Sequence, residues 1–586
     1  MMFLNWRLSP NRFFALVITL ILTTYQLIRV IGFANVYGGI EHDSGWFLGV
    51  SRSLAERGQY TALVSTIEDP VKVAGIDVDQ KFNIQDPDGR IWFFTGNGTG
   101  PGSIIPNALV IKLFGTGFWA LRAGPLLFYT LLLLIAAYAM YQLVGWGAIV
   151  LFHLFLFFYP RLSIFLSYEA MGEVTAMFYI ILAYFVFALA VSQPNRRWPY
   201  FLGAGLIGGL AISTKLLALL SVSGILIWAG WLYLSRQSRV RLKELIILGC
   251  GVVLPQFIYE LIQLIVLVRL TNWELYLRHA KQRLGFILDD GSGLGLRAHS
   301  GADFMWRKFF MLAEISEHKD WVVIVIFVTL LLGGVFLWQI WRKDNFKIGL
   351  LAPIWLGWLM NTIWFVSLAK TGWPRHFWFG LILAVMLLCI IPFAFIQFGW
   401  PKIGWRVLKP TGFVSVVVGV LLLALVGWAG GSQPHVWGFF LPEEIVPYWR
   451  EQRFDYINLA GLPWILIPRQ DEAAVVDYIN NMPPKANVYY PALDFGHKAA
   501  EIAVQTGRIQ YPFKRRGYPG VEIHPADILI IPPSIISEWR FSSATRQELL
   551  ALVMQTCPDP VLKNENYILC LADKVRLPDQ SVLNSR

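Results

Sequence analysis

The chain has 586 residues, 56% of them hydrophobic and 15% charged, with a mean hydropathy of +0.53. That balance excludes an ordinary soluble globular protein and an intrinsically disordered one. The formal charge of +11 is dispersed, in clusters such as Arg196–Arg197, Arg236–Lys243, Arg342–Lys347 and Lys402–Lys409 that fall in short connections between apolar runs; this is the pattern of cytoplasmic loops in a multi-span membrane protein rather than of a nucleic-acid-binding face.

The first apolar run, 13–33, is long enough to cross a bilayer, with Gln26 and Arg29 near its far end. It carries no small-residue cleavage site, so it is read as an anchor. Directly after it comes Glu41-His42-Asp43-Ser44-Gly45-Trp46-Phe47, in which Phe47, Val50 and Leu54 recur at helical spacing. This predicts a short amphipathic helix lying in the headgroup layer, with Glu41 and Asp43 held at the membrane surface. Two readings of Asp43 compete: a reactive carboxylate, or an N-cap shared with Ser44 for a helix beginning at Gly45. The run Gly96-Asn97-Gly98-Thr99-Gly100-Pro101-Gly102 lacks the lysine and Ser/Thr of a phosphate-binding P-loop. It is read as a close-approach turn before an interfacial segment, 103–114, and Asn97-Gly98-Thr99 also matches a glycosylation sequon.

Further crossings are expected at 118–142, 147–160, 173–192, 200–213, 215–234, 244–268, 321–341, 348–368, 376–398 and 411–430. Together with the first run these make eleven spans, an odd number that puts the amino terminus in the cytoplasm and the carboxyl terminus outside. The stretch 200–234 is split at Ser213-Thr214-Lys215, because one long helix would carry the Arg236–Lys243 cluster to the wrong side. Glu169 and Glu173 lie four residues apart at the outer end of a span, so a helix there would show both on one face; dipole compensation at a helix N-terminus is the alternative, but two carboxylates at the membrane are more than it requires. Arg122, Arg161, Lys215, Arg375 and His376 stand at outer span ends. Each alone reads as snorkelling, and together they suit a lipid-linked phosphate. The segment 269–320 reads as a partly ordered flap. After a linker, 431–470, helices at 471–482, 494–505 and 545–556 alternate with strands at 486–490, 527–531 and 567–572, which predicts an α/β domain over 471–586. Cys557 and Cys570 can bridge there if the tail faces an oxidising compartment.

The order of these motifs resembles the polytopic glycosyltransferases of the GT-C superfamily, chiefly the protein O-mannosyltransferase and lipid A aminoarabinose transferase types. The likeness runs through His42 to Leu54, Thr99-Gly100-Pro101 to Gly115, Glu169 to Glu173, Gly209 to Lys215, and Arg375-His376. It implies a GT-C-like transmembrane domain (1–430) of about eleven helices with an extracytoplasmic active site. It also implies a polyprenyl-phosphate-linked sugar donor and an acceptor (lipid, glycan or protein) outside the cytoplasmic membrane. Carried over, Asp43 is the candidate base, with Glu41, Glu169, Glu173, Arg122, Lys215, Arg375 and His376 as substrate-binding candidates. Two departures stand out: Ser44 replaces the second acid of the usual Asp-Glu pair, and a glycine-rich turn replaces a Pro-Pro loop. No cofactor is required on this reading and no His/Cys metal spacing is visible, although a divalent cation is compatible with it. A transporter or lipid flippase is the rival class. It calls for ionisable groups along a route through both leaflets and for an inverted repeat, whereas here the ionisable groups gather on one side and no repeat is visible.

Overall fold

Helices stand where the apolar runs predict them. In chain order the computed structural model has α1 (Pro10–Val36), α2 (His42–Arg57), α3 (Pro101–Phe114), α4 (Phe118–Val144), α5 (Trp146–Phe158), α6 (Glu173–Ser192) and α7 (Trp198–Thr214). These are followed by α8 (Ala218–Leu234), α9 (Leu242–Leu270), α10 (Trp273–Asp289), α11 (Asn345–Ser367), α12 (Trp378–Ala394), α13 (Arg469–Asn480) and α14 (Gly496–Thr506). The structure describes residues 10–36, 42–65, most of 71–94, 99–158, 167–193, 195, 197–235, 240–289, 333–334, 344–369, 374–394, 468–490, 496–513, 523–531 and most of 557–575. Among these residues five helices are long and apolar enough to cross a membrane, namely α1, α4, α6, α9 and α11. Helices α3, α5, α8 and α12 are apolar but shorter. The expected crossing at 321–341, apart from residues 333–334, the one at 411–430, the strip 431–467 and the helix expected at 545–556 lie outside the described residues.

Small residues set how closely the helices approach, as expected where lipid removes the hydrophobic drive for association. A Cβ on Gly251 of α9 would lie 2.9 Å from the Leu202 carbonyl of α7, and one on Gly209 of α7 would lie 2.5 Å from the Val252 carbonyl of α9. A Cβ on Gly224 of α8 would sit 2.6 Å from the Pro353 carbonyl of α11. Polar side chains add ties across the bundle. Tyr184 of α6 donates to the Ser221 carbonyl at 2.7 Å, and the Asn361 amide of α11 donates to Ser221 Oγ at 2.9 Å. On the outside of α9, Ile246, Val253, Phe257, Leu261 and Ile265 are exposed. A row of that kind suits lipid contact.

The split predicted at Ser213-Thr214-Lys215 is present. Lys215 is the extended C-cap of α7, and α8 begins three residues later. The region between α2 and α3 forms an antiparallel sheet ordered β1-β5-β4-β3-β2, from β1 (Thr61–Ala62), β2 (Val71–Val73), β3 (Ile76–Val78), β4 (Ile84–Gln85) and β5 (Ile91–Trp92). A second sheet, in the tail, contains β6 (Val488–Tyr490), β7 (Gln510–Pro512), β8 (Ile528–Ile531), β9 (Leu562–Lys563) and β10 (Ile568–Leu571), ordered β7-β6-β8-β10-β9. Strand β6 runs parallel to both β7 and β8, whereas β8–β10 and β10–β9 are antiparallel. The tail's central strand, Ile528-Leu529-Ile530-Ile531, is buried at every position, as a strand covered on both faces requires. Cys557 and Cys570 form a disulfide, with Cα atoms 5.9 Å apart.

Three expectations change. Helix α2 does not lie on a membrane surface by itself: Ser44 to Ser51 and Ser53 are buried against protein, and the side of α2 that bears Arg52 meets α14. The helix begins at His42 rather than Gly45, so Asp43 and Ser44 belong to its first turn and neither precedes it as a cap. The first part of the expected flap is helix α10, folded back beside α9. His279 Nδ1 donates to the Phe82 carbonyl at 2.9 Å and Gln263 lies 3.1 Å from His279 Nε2, while Arg283 pairs with Glu260. The rest of 290–320 lies outside the described residues.

Candidate active site

The segment 167–173 is where the singled-out residues converge. It is not helical until Glu173, because Gly172 takes a left-handed backbone (φ 86°) and acts as the N-cap of α6. Glu169 and Glu173 therefore do not share a helix face, contrary to the four-residue spacing, and each goes to a different cation. Glu169 Oε2 accepts from Arg122 Nη1 at 3.0 Å, and Glu173 Oε1 lies 3.0 Å from Lys215 Nζ.

Arg122, near the start of α4, is completely buried. The expectation that it snorkels toward water is therefore corrected: its charge is held by protein. Nη1 also donates to Ser44 Oγ at 3.2 Å, and Nη2 pairs with Glu501 of α14. Its guanidinium lies over the rings of Phe118 at 5.4 Å and Tyr168 at 5.7 Å. Taking one arginine and two carboxylates out of water costs several kcal/mol per ion, roughly offset only when the geometry satisfies them. Such a cluster fixes position more than it adds stability. Burial, followed by the neighbouring Glu169, pushes the Tyr168 hydroxyl well above the usual tyrosine range, so that it stays neutral.

Ser44 is the hinge of the arrangement. Its hydroxyl oxygen accepts from the Ala170 amide at 2.9 Å and from Arg122. The position where an Asp-Glu pair was expected to supply a second acid thus supplies a neutral acceptor, tied to both the 167–173 segment and α4. Asp43 is the preceding residue in the same turn of α2. Glu41 and the side chains of Asp43 and Arg375 lie outside the described residues.

Lys215 sits at the break between α7 and α8, also mostly buried. Its Nζ reaches the Met171 carbonyl at 3.4 Å and lies 5.9 Å from the Phe47 ring of α2. The glycine-rich turn meets the same place. The Gly100 amide donates to the Thr214 carbonyl at 2.9 Å, and Thr99 Oγ1 donates to the Met171 carbonyl at 2.8 Å. A Cβ at Gly100 or Gly102 would collide with Ser213 or Thr214, so the close approach read from the sequence is real. Residues 99–102, 167–173, 213–215 and the start of α2 form one junction. His376 is buried in the 3-10 turn Pro374–Phe377. Among the described residues no three His, Cys, Asp or Glu side chains are grouped to hold a metal ion.

Sequence reasoning did not single out Glu501. Its signal was available: a single acid in the otherwise small and apolar run Ala499-Ala500-Glu501-Ile502-Ala503-Val504. Charge is almost never fully buried without a partner, so such an acid predicts a cation opposite.

No protein-family model matches the chain and no curated protein matches it. Solved structures do. The crystal structure of ArnT from Cupriavidus metallidurans bound to undecaprenyl phosphate superposes with a TM-score of 0.54 at 13% identity, covering 96% of this chain and 99% of that one. ArnT from the same organism in the apo state gives a TM-score of 0.51 at 12% identity, covering 96% and 98%. An oligosaccharyltransferase from Archaeoglobus fulgidus, tethered to an acceptor peptide, aligns more loosely (TM-score 0.41, 11% identity, 88% of this chain and 69% of that one). Over nearly the whole of both chains, this chain shares its fold with the ArnT structures.

Proposed function

We propose that the protein is a membrane glycosyltransferase that moves a sugar from a polyprenyl-phosphate-linked donor to an acceptor outside the cytoplasmic membrane. The observation that carries this reading is the anchoring of Ser44. Two hydrogen bonds from separate segments fix the turn of α2 that bears Asp43, at the junction with 99–102 and 167–173. A turn fixed in that way is what a general base needs, since misplacement by an ångström can cost about a hundredfold in rate. Support for the donor class comes from the fold likeness to an ArnT that binds undecaprenyl phosphate.

In the reaction, the acceptor hydroxyl oxygen forms the new bond to the anomeric carbon and its proton passes to Asp43. The bond from that carbon to the phosphate oxygen breaks, leaving its electron pair on polyprenyl phosphate. Arg122 and Lys215 are engaged by Glu169 and Glu173. Their proposed role is accordingly to hold the framework, and Arg375 and His376 are retained as candidates for binding the phosphate. Glu41 is retained as a candidate for orienting the acceptor.

The proposed topology is about eleven crossings in the cytoplasmic membrane, amino terminus in the cytoplasm and the tail unit, 471–586, outside. The basic clusters support it, as does the Cys557–Cys570 bridge, which suits an oxidising exterior.

Purified protein incubated with radiolabelled polyprenyl-phosphate sugars and extracted envelope acceptors tests the reading. Asp43→Asn is expected to lower transfer by about a hundred- to ten-thousandfold while leaving expression unchanged. Wild-type turnover in that variant would remove Asp43 as the base. Movement of intact lipid across vesicles without glycosidic bond formation would favour a flippase.

A further inference from the structure

We infer that Glu501 of the tail is a positioning residue for the site, so that the tail is a working part of the catalytic centre and not an appended acceptor-selecting module. The inference rests on the reading of Asp43 as the reacting carboxylate.

The tail touches the rest of the chain at several points, and most of them are distant from the first turn of α2. Arg52, near the far end of α2, donates to the Val504 carbonyl at 2.6 Å and the Gln505 carbonyl at 3.1 Å, closing the end of α14. Arg469 at the start of α13 stacks on Phe118 at 4.3 Å and donates to Asn35 Oδ1 at 3.3 Å. Ser65 and Gln510 join the two sheets through a backbone hydrogen bond of 2.9 Å. These contacts hold the tail down, and none of them involves residues 43 to 45.

Glu501 differs in what it reaches. Its carboxylate takes Nη2 of Arg122, and Nη1 of the same guanidinium holds Ser44 Oγ and Glu169. Arg122 Nε makes no hydrogen bond among the described residues, so the orientation of the planar fork is set by what its two Nη atoms grip. The α14 backbone bears on the same turn. A Cβ at Gly45 would lie 2.5 Å from the Glu501 amide nitrogen and 2.7 Å from the Ala500 carbonyl carbon. Side chain and backbone of one residue in the tail thus act on the two residues that follow Asp43. A guanidinium is suited to this because its donors lie in a rigid plane, and a pull on one edge reorients the other.

The test uses the full-length protein in lipid nanodiscs, with Glu501→Ala, Glu501→Gln and Arg469→Ala, the last loosening the docking without removing a hydrogen-bond partner of Arg122. Two measurements are made on each variant: steady-state transfer with a radiolabelled polyprenyl-phosphate sugar, and amide hydrogen exchange over residues 42–57. Glu501→Ala is expected to lower kcat by about ten- to a hundredfold with the donor KM unchanged, and to speed exchange at the start of α2. Glu501→Gln keeps the shape and one acceptor oxygen, so it should recover most of the lost kcat. Arg469→Ala should retain kcat. Wild-type kcat in Glu501→Ala, a change confined to KM, or an equal loss in Arg469→Ala would each overturn the inference. Absence of transfer by the wild-type protein from every polyprenyl-phosphate sugar would instead overturn the proposed function. The exchange measurement would still decide whether Glu501 holds the first turn of α2.

Discussion

Arg122 is the residue on which the most contacts depend, and its replacement gives the sharpest expectation. Removing the guanidinium takes its ion pair from two buried carboxylates, Glu169 and Glu501, so Arg122→Gln should destabilise the fold by about 3–5 kcal/mol, read as a lowered Tm in detergent. Arg122→Lys should recover little, since an ammonium cannot reach Ser44, Glu169 and Glu501 from one plane. His279 gives a pH-dependent counterpart. Its imidazole is buried between the Phe82 carbonyl and Gln263, and burial lowers its pKa from 6.5 to about 4. The folded state therefore favours the neutral ring. The stability this contributes is complete above about pH 6.5 and is lost as the pH falls toward 4, by up to about 3 kcal/mol. Melting curves of wild type and His279→Gln between pH 7 and 4.5 should converge on the acidic side. Parallel curves would show that His279 does not titrate in that window. Phe82 and Phe93 beside it take left-handed backbone (φ 55° and 44°); such a conformation costs about 1–3 kcal/mol, so this corner is one the rest of the fold has to hold in place.

The elements divide into those that sequence periodicity settles and those that depend on what arrives from elsewhere. Span-length apolar runs such as 173–192 and 348–368 need only their own composition to be helical in lipid, which is why they could be read directly. The break before Lys215 was legible too, from charge placement on either side. The structure of 167–173 was not. A four-residue spacing of carboxylates suggests a shared helix face, and nothing local reveals that Gly172 delays the helix to Glu173. Helix α2 was misplaced for a related reason: half-buried periodicity looks the same whether the covering material is headgroups or another helix. At the α7–α9 contact, Gly209→Leu should strain or separate the helices, at about 1–3 kcal/mol, with loss of Tm as the measure. Gly249→Leu on α9, where a side chain meets nothing within 4 Å, should be neutral. Equal effects at the two positions would argue against close helix approach as the cause.

For the molecule as a whole, the tail unit is tied to the rest of the chain by polar contacts and by Tyr490, Ala500, Ala503 and Val504, which join the main apolar core, and is held internally by a disulfide. Opening the Cys557–Cys570 bridge frees a short loop, and Cys557→Ser should therefore cost the tail about 2–4 kcal/mol. Early release of the tail by limited proteolysis would report that loss, and an unchanged digestion rate in Cys557→Ser would show that the bridge does not limit tail unfolding. Candidate site residues from 43 to 215 were legible because each lies beside an apolar run that fixes its level. For Glu501 the apolar surroundings announce a buried acid in need of a cation, but nothing local says that the cation lies 379 positions earlier in the sequence.

That separation has a consequence for how the protein is made. A ribosome delivers Ser44, Arg122 and Glu169 long before Glu501 exists, so until then the buried guanidinium has only one of its two paired carboxylates. Contacts so remote in sequence are intrinsically slow to form. Maturation should accordingly finish in a late, concerted step once the last segment has been made, and a chain stalled before that point would carry its helices without the Glu501 contact.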